Sequence, residues 1–382
     1  MTRSTYTLIV STIILTGTSI CYASTASFKS LGNFSSNGIY DRSVSSSDDG
    51  SIITGNYYNR NSDDNNVEAF RWSESTGQVG LGDLPGGYFG SLAYDVSADG
   101  STVVGYGHPA YRTSSEAFRW TQSEGMIGLG FLPGGHQSVA EATSADGSVI
   151  VGSSRSTLGR EAMRWTESEG MVGLGDLPGG SYHSGALNVS ADGNVVVGHS
   201  NIGFEKTEAF RWTQESGMVG LGDLTGGEFN SASFAASANG DVVVGQSVSD
   251  SGREAFRWTQ EEGMVGLGDL PGSEFLSWAI DTSSDGSSIV GVASSETDLE
   301  VFLWTEGNGM RSLLDILTVD HGLDLTGWSL IWPTNLSSDG NTIVGWGRSP
   351  DRSFEIFVAT LPEPTTLTVL GLGVPMLIRY RY

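Results

Sequence analysis

Three sets of side chains in this chain have types and spacings that could do chemistry. The first is a serine three residues ahead of a turn glycine, present seven times at Ser47, Ser97, Ser144, Ser190, Ser237, Ser283 and Ser337. In Ser-x-Asp-Gly the hydroxyl and carboxylate can bond local backbone N–H groups while the glycine takes the positive φ of a hairpin. A ring of such turns could instead hold calcium, but that ion wants roughly six to eight oxygens, usually with several carboxylates close in sequence. One Asp per turn falls short, and one unit carries Asn239 there. The second set alternates along Glu116-Ala117-Phe118-Arg119-Trp120, where buried Glu and Arg would demand partners. The expected partners are each other and the acids Asp83, Asp176, Asp223, Asp269 and Asp315, as a structural ion-pair lattice. Phe131 replaces the acid in one unit and Leu303 the arginine in another, which argues against a ligand common to all units. The third set follows a Pro-Gly-Gly-like stop: Tyr88, His136, Tyr182, Phe229 and Phe275. These form a candidate ligand rim suited to stacking on sugar rings; the competing reading is that they cap the outer edge of each unit.

No catalytic constellation appears. The histidines His108, His136, His183, His199 and His321 are scattered, and none belongs to a His-x-x-x-His or Glu-flanked zinc pattern. There is no Gly-x-Ser-x-Gly elbow, P-loop or dinucleotide fingerprint. Gly-Leu-Gly-Asp-Leu-Pro-Gly-Gly superficially looks like a phosphate loop, but it recurs without a following helix. No metal, no cofactor and no enzymatic activity are expected.

The elements that must position these residues are repeats. Trp72, Trp120, Trp165, Trp212, Trp258 and Trp304 return at spacings of 48, 45, 47, 46 and 46 residues, the mark of one supersecondary unit copied along the chain. The unit from 91 to 135 reads as four strands: Ser91 to Ser97, Thr102 to Tyr106, Glu116 to Thr121, and Met126 to Leu132. Four strands in about 46 residues suit a β-propeller blade. The Asp-Gly or Asn-Gly turn and the glycine closing the next strand each occur seven times. The Phe-Arg-Trp strand occurs six times, with Glu355 to Val358 as a degenerate seventh copy. The seventh copy of the last strand lies at the other end of the chain, where Lys29 to Phe34 matches Val172 to Leu177. The expected fold is therefore all-β: a propeller of seven four-stranded blades, the N-terminal strand completing the last. Such closure should leave no exposed sheet edge. Phe and Trp are expected at the contacts between blades.

With 382 residues and 38% hydrophobic content the chain can build a core. Its net charge of -25, without a basic run in the middle, argues against nucleic-acid partners. Residues 1–23 read as a secretory signal peptide, with Arg3, an apolar stretch from Leu8 to Ile20 and cleavage after Ala23. Cleavage there removes Cys21, the only cysteine, so the exported chain would have no disulfide. Residues 28–361 form the repeat domain. Residues 362–382 form a tail: Pro362-Glu363-Pro364, an apolar run from Leu367 to Ile378, then Arg379 and Arg381. About 14 residues from Thr365 span only ~21 Å as a helix against a hydrocarbon core of ~30 Å. That suits a transient stop-transfer segment with the arginines in the cytoplasm.

The tail resembles the PEP-CTERM sorting signal of Gram-negative bacteria through Pro362, Glu363, Pro364, Arg379 and Arg381. The resemblance implies an exosortase-type protease as transient partner and a link to exopolysaccharide and the cell surface. The repeats resemble the HAF family of extracellular repeats through Glu-Ala-Phe-Arg-Trp at 68–72, 116–120, 208–212 and 254–258, with Met163 in the copy at 161–165. This second resemblance spans most of 28–361, implies secretion, and brings no catalytic residues. Together they imply a secreted, surface- or matrix-associated protein with a non-catalytic binding or structural role. It would touch membrane only through its unprocessed tail and bind extracellular polysaccharide. The alternative is a propeller enzyme acting on polysaccharide, a lyase or glycosidase.

Overall fold

The computed structural model describes residues 25–32, 44–59, 66–86, 89–109, 114–272, 274–296 and 298–363. They form seven four-stranded antiparallel sheets, six of them from consecutive strands. The seventh is built from Ser329–Leu336, Thr342–Arg348 and Phe354–Thr360, with the N-terminal strand Ser27–Gly32 as its outermost member. Seven apolar clusters each join one sheet to the next, and the last joins Val344 and Ile356 to Val44, Ile53 and Phe70. The sheets therefore close into a seven-bladed propeller.

Blade 2 shows how sequence sets the pattern. Its inner strand is Ser91–Val96, followed by Thr102–Gly107, Glu116–Thr121 and the outer strand Gly125–Gly128. Period-2 alternation sends Ala117 toward blade 3, where it packs with Met163, and Phe118 toward blade 1, where it packs with Ala69. The corresponding Phe70, Phe118, Phe210, Phe256, Phe302 and Phe357, and Met163, are all 0% exposed. Burying an aromatic ring of this kind removes about 150–250 Å² from water. The degenerate seventh copy is real, since Phe357 stands opposite Gly345 as Phe118 stands opposite Gly105. The closing strand also lies in the register that the sequence match implies. Ser30 pairs with Phe357 as Gly173 pairs with Met163.

The Ser-x-Asp-Gly turns are built from local bonds. Ser97 Oγ donates to Asp99 Oδ1, Ser101 N donates to the same oxygen at 2.9 Å, and Thr102 N donates to Ser97 Oγ at 3.0 Å. Gly100 sits at φ 71°. The residue between Ser and Asp links the blades into a belt. Asp48 N bonds Ala98 O, Ala98 N bonds Ala145 O, and Ala145 N bonds Ala191 O. The chain of bonds continues through Asp192, Ala238, Ser284 and Ser338. It closes on the Asp48 carboxylate, which accepts from the backbone and hydroxyl of Ser338.

Four readings need correction. The arginines do not pair with Asp83, Asp176, Asp223, Asp269 or Asp315. Where Glu stands five residues on, Arg119, Arg164 and Arg257 bond Glu124, Glu169 and Glu262. Where Thr76 or Ser216 stands there, Arg71 and Arg211 bond the turn carbonyls of Gly100 and Gly240 in the next blade. The acids have other donors: Asp176 accepts from Ser200, Asp223 from Ser247, and Asp269 from the backbone of Leu270 and Leu276.

The outer strand of blade 2 stops at Gly128 and does not reach Leu132, because Gly130 turns away at φ 77°. Closure removes the ends of the array but leaves a four-residue outer edge such as Gly125–Gly128 on the perimeter, short enough to be a poor template for pairing. Finally, a short helical segment over Leu313–Asp320, absent from the sequence reading, buries Leu313 and Leu317 between blades 6 and 7.

The repeated glutamate has a partner unseen in the sequence. Glu116 Oε1 accepts from Gly130 N at 3.0 Å, and Glu68, Glu161, Glu208 and Glu254 do the same for Gly82, Gly175, Gly222 and Gly268. The first glycine of each Gly-Leu-Gly lies against that carboxylate, so a Cβ at Gly128 would sit 2.3 Å from Glu116 Oε1. Gly128→Ala should therefore cost about 1–3 kcal/mol, seen as a lower urea midpoint with an unchanged slope. An unchanged midpoint would show that the carboxylate moves aside freely.

Candidate functional site

The hairpins joining first to second and third to fourth strands lie at one end of the ring, the turn face. The hairpins joining second to third strands and the connections between blades lie at the other, the loop face. The inner strands line the channel between them, and most carry a bulge just before their last residues, as between Ala93 and Asp95. A bulge turns two neighbouring side chains toward one side. In blade 2 it exposes both Tyr94 and Asp95 to the channel while Ala93 and Val96 stay buried.

A cavity of about 430 Å³ near the turn face touches all seven inner strands, with Ser45, Asp95, Asn188, Asp281 and Asn335 among its polar lining. Asp48, Asp95 and Asp281 are the acids of its lining, and the last two belong to the inner strands. Asp95 accepts from Ser45 Oγ of blade 1 at 2.8 Å and Thr143 N of blade 3 at 2.9 Å. Asp281 accepts from its neighbour Thr282 N at 2.8 Å and from Leu336 N of blade 7 at 2.7 Å. Burial pushes the Asp95 carboxyl up to about 6. Burial, reinforced by the charges of Asp95 and Asp48, pushes Asp281 up to about 7. Both oxygens of each group are engaged by the fold.

Nearer the loop face the wall is mostly apolar, with Tyr94, Leu187, Phe234 and Ile280 at one level and Glu141 as its acid. Burial raises the Glu141 pKa against the opposing attraction of Arg160. His199 is pushed down to about 4 by burial and by His183 and Arg160, and His183 is lowered mainly by burial. The two imidazoles lie 6.5 Å apart. Other aromatic pairs on this side are Tyr94 with Tyr106, Trp278 with Trp332, and Trp346 with Phe354.

Of the rim residues, His136, Tyr182 and Phe275 lie on connections between blades at the loop face and Phe229 near the start of the inner strand Gly226–Ala236, and they do not form one platform. His136 is exposed, Phe229 and Phe275 are half-buried, and Tyr88 lies outside the described residues. The Tyr182 hydroxyl bonds Glu161, and its pKa is pushed up to about 12 by burial and that charge. Pro362 and Glu363 follow the last strand, whereas Pro364, Arg379 and Arg381 lie outside the described residues. Among the described residues no group of three or more His, Cys, Asp or Glu is placed to hold a metal, and no helix is long and apolar enough to cross a membrane.

Sequence reasoning missed the channel set of Asp95, Glu141, Asp281 and Trp278. A signal existed: these positions precede the turn serine at fixed offsets yet differ in type from unit to unit.

No protein-family model and no curated protein matches the chain. Among solved structures it is similar to oligogalacturonate lyase from Vibrio parahaemolyticus, at 11% identity and TM-score 0.50 over 89% of this chain and 98% of that one. It is also similar to TolB from Acinetobacter baumannii, at 12% identity and TM-score 0.40 over 82% and 81%. A chain of the mitotic checkpoint complex gives 12% identity and TM-score 0.48 over 94% and 99%. At such identities the likeness concerns the propeller fold alone.

The buried acids make stability depend on pH. A carboxyl whose folded pKa lies above its unfolded value stabilises the fold fully below the unfolded pKa and loses that contribution as pH rises through the folded one. The relevant window here runs from about pH 4 to about pH 7. The melting temperature should fall by a few degrees between pH 5 and pH 8, and Asp281→Asn, which removes the titrating group but also one of its two acceptor oxygens, should shrink that difference whatever its effect on the absolute melting temperature. An Asp281→Asn variant with the parent's pH profile would disprove this assignment.

Proposed function

We propose that the chain is an exported, surface- or matrix-associated propeller with a non-catalytic binding role, sorted by its PEP-CTERM-like tail and carrying HAF-like repeats. One observation carries the binding role. Most repeated polar groups are engaged within a blade or across its seams, while the unrepeated aromatic and charged side chains gather along the channel and loop face. Asp95 and Asp281 do not support the rival reading of glycoside chemistry. Each is an acceptor for the blade beside it, and neither presents an unengaged oxygen to a scissile bond.

The closing blade supports sorting through both chain ends. Ser27 pairs with Thr360, so the first and last described strands have their outer ends side by side at the turn face of blade 7. A chain held by its tail would turn its loop face, with the variable residues, away from the membrane.

Two measurements test this reading. On a glycan array the full chain should bind saccharide, and Trp278→Ala with His136→Ala should weaken that binding at least about tenfold. Release of shortened products from a bound polysaccharide would replace the binding reading with the enzymatic one. In cell fractionation, removal of residues 362–382 should shift the protein from the envelope to the medium. Unchanged partitioning would overturn the sorting role.

A further inference from the structure

The cations outside the framework have an uneven distribution. Five arginines belong to the repeated strand, and Lys29 and Arg311 lie on outer strands. The remaining Lys and Arg among the described residues are Arg155, Arg160, Lys206, Arg253, Arg348 and Arg352. All six lie in or beside hairpins joining second to third strands, on the loop face. In blades 4, 5 and 7 an acid shares the hairpin: Glu205, Asp250 or Asp351. Blade 3 differs, because its hairpin from Ser156 to Gly159 carries no charge and the connection from Phe131 to Gln137 carries no acid.

A pocket of about 160 Å³ lies in this sector, lined by Gln137, Ser153, Arg155 and Arg160 among others. Arg155 Nε donates to Gln137 Oε1 at 2.7 Å, and Arg160 donates from Nε at 3.0 Å and Nη2 at 2.7 Å to Ser153 Oγ. These bonds fix the side chains yet leave most guanidinium donors available, since each group has about five. Among the described residues no carboxylate ion-pairs with either arginine. Within range of the Arg160 charge, Glu141 stands half-buried on the channel wall, its carboxyl without a hydrogen-bond partner among the described residues. A carboxyl group exchanges hydrogen bonds with hydroxyls, so beside a pair of arginines it suits a ligand with hydroxyls as well as a negative group.

We propose that this sector of blade 3 binds a carboxylate-bearing sugar unit, as in an acidic polysaccharide. Arg155 and Arg160 hold the carboxylate, and Gln137 and Glu141 hold ring hydroxyls. Planar guanidinium forks match a carboxylate in charge and shape, which gives this contact its directionality. The proposal rests on the binding role above and names its ligand class.

Calorimetry on the full chain tests it with three probes: a glucuronate trisaccharide, the same trisaccharide with its carboxylates reduced to alcohols, and inorganic sulfate. The charged trisaccharide should bind. Its reduced form, or Arg160→Gln or Arg155→Gln in the protein, should lower affinity at least about tenfold. Arg253→Gln, in blade 5 of the same face, should leave affinity unchanged, and thermal melts should show all variants folded. Equal affinity for the reduced trisaccharide, or parental affinity in both blade 3 variants, would overturn the carboxylate site while leaving the binding role intact. Sulfate displacing the trisaccharide at equal affinity would reduce the site to a general anion pocket and overturn the sugar assignment. Failure of every saccharide, charged or neutral, on the array and in solution would remove both readings.

Discussion

The structure depends on how a blade satisfies backbone groups that its own outer strand is too short to reach. That strand spans four residues and covers only the far end of the third strand, leaving the N–H of the repeated alanine facing the seam. The next blade supplies the acceptor. Ala69 N donates to Ser91 Oγ, and Ser91 Oγ donates onward to Gly82 O at 2.6 Å. The same relay runs through Ser138, Ser184, Ser231 and Ser277. An unsatisfied buried N–H costs about 1–3 kcal/mol, so one hydroxyl per seam ties blade stability to the presence of a neighbour. A single blade could not satisfy these groups by itself.

Where the repeat degenerates, other chemistry fills the same need. Blade 7 has Leu330 where the relay serine would stand, and the seam before it is filled by Leu313 and Leu317 of the helical segment. At the closing seam the carboxylate of Asp48 completes the belt that backbone carbonyls form elsewhere. Phe28 of the N-terminal strand stacks on Phe357 at 5.5 Å and meets Trp328 at 5.0 Å. Ser30 and Ser312 stand where other blades have glycine, and their hydroxyls bond Glu355 and Glu300. Arginine and its cross-strand valine also exchange places. Arg119 faces Ile127, whereas Leu303 faces Arg311 and Val358 faces Lys29. The pair keeps one long cation and one aliphatic group, in either order.

Blade number, circular closure and register were legible because they follow from counting turns and matching strand types. The turn serines were legible because their bonds lie within about five residues. Contacts between units were not. The expected pairing of the arginines with the acids fails because sequence distance says nothing about which face of a blade a side chain meets. Glu124 stands five residues from Arg119 in the turn that follows its strand, and only the folded hairpin brings the two together. The relay serines stood six residues before the turn serines in five units, a constant offset that needed the seam to give it meaning. The candidate site was legible only as variation on the loop side, because the bulge that turns Tyr94 and Asp95 together into the channel leaves no mark in composition.

The residue following the glycine of each second strand shows how framework and function separate. It is Asn56, Tyr106, Ser153, His199, Gln246, Val292 and Trp346 in the seven blades, flanked by repeated valine and glycine. Its glycine cannot vary, because a Cβ at Gly105 would lie 1.9 Å from Leu92 O. The next position has no such restraint, and its contacts differ from blade to blade. Asn56 bonds both backbone groups of Ala93, Ser153 receives Arg160, Gln246 receives Arg253, and Tyr106 stacks between Tyr94 and His108. A fold that commits most of its repeated polar atoms to its own framework leaves diversity only where no seam bond is required. In this ring those positions lie toward the loop face and its channel mouth, which is where a ligand would meet residues that distinguish one blade from another.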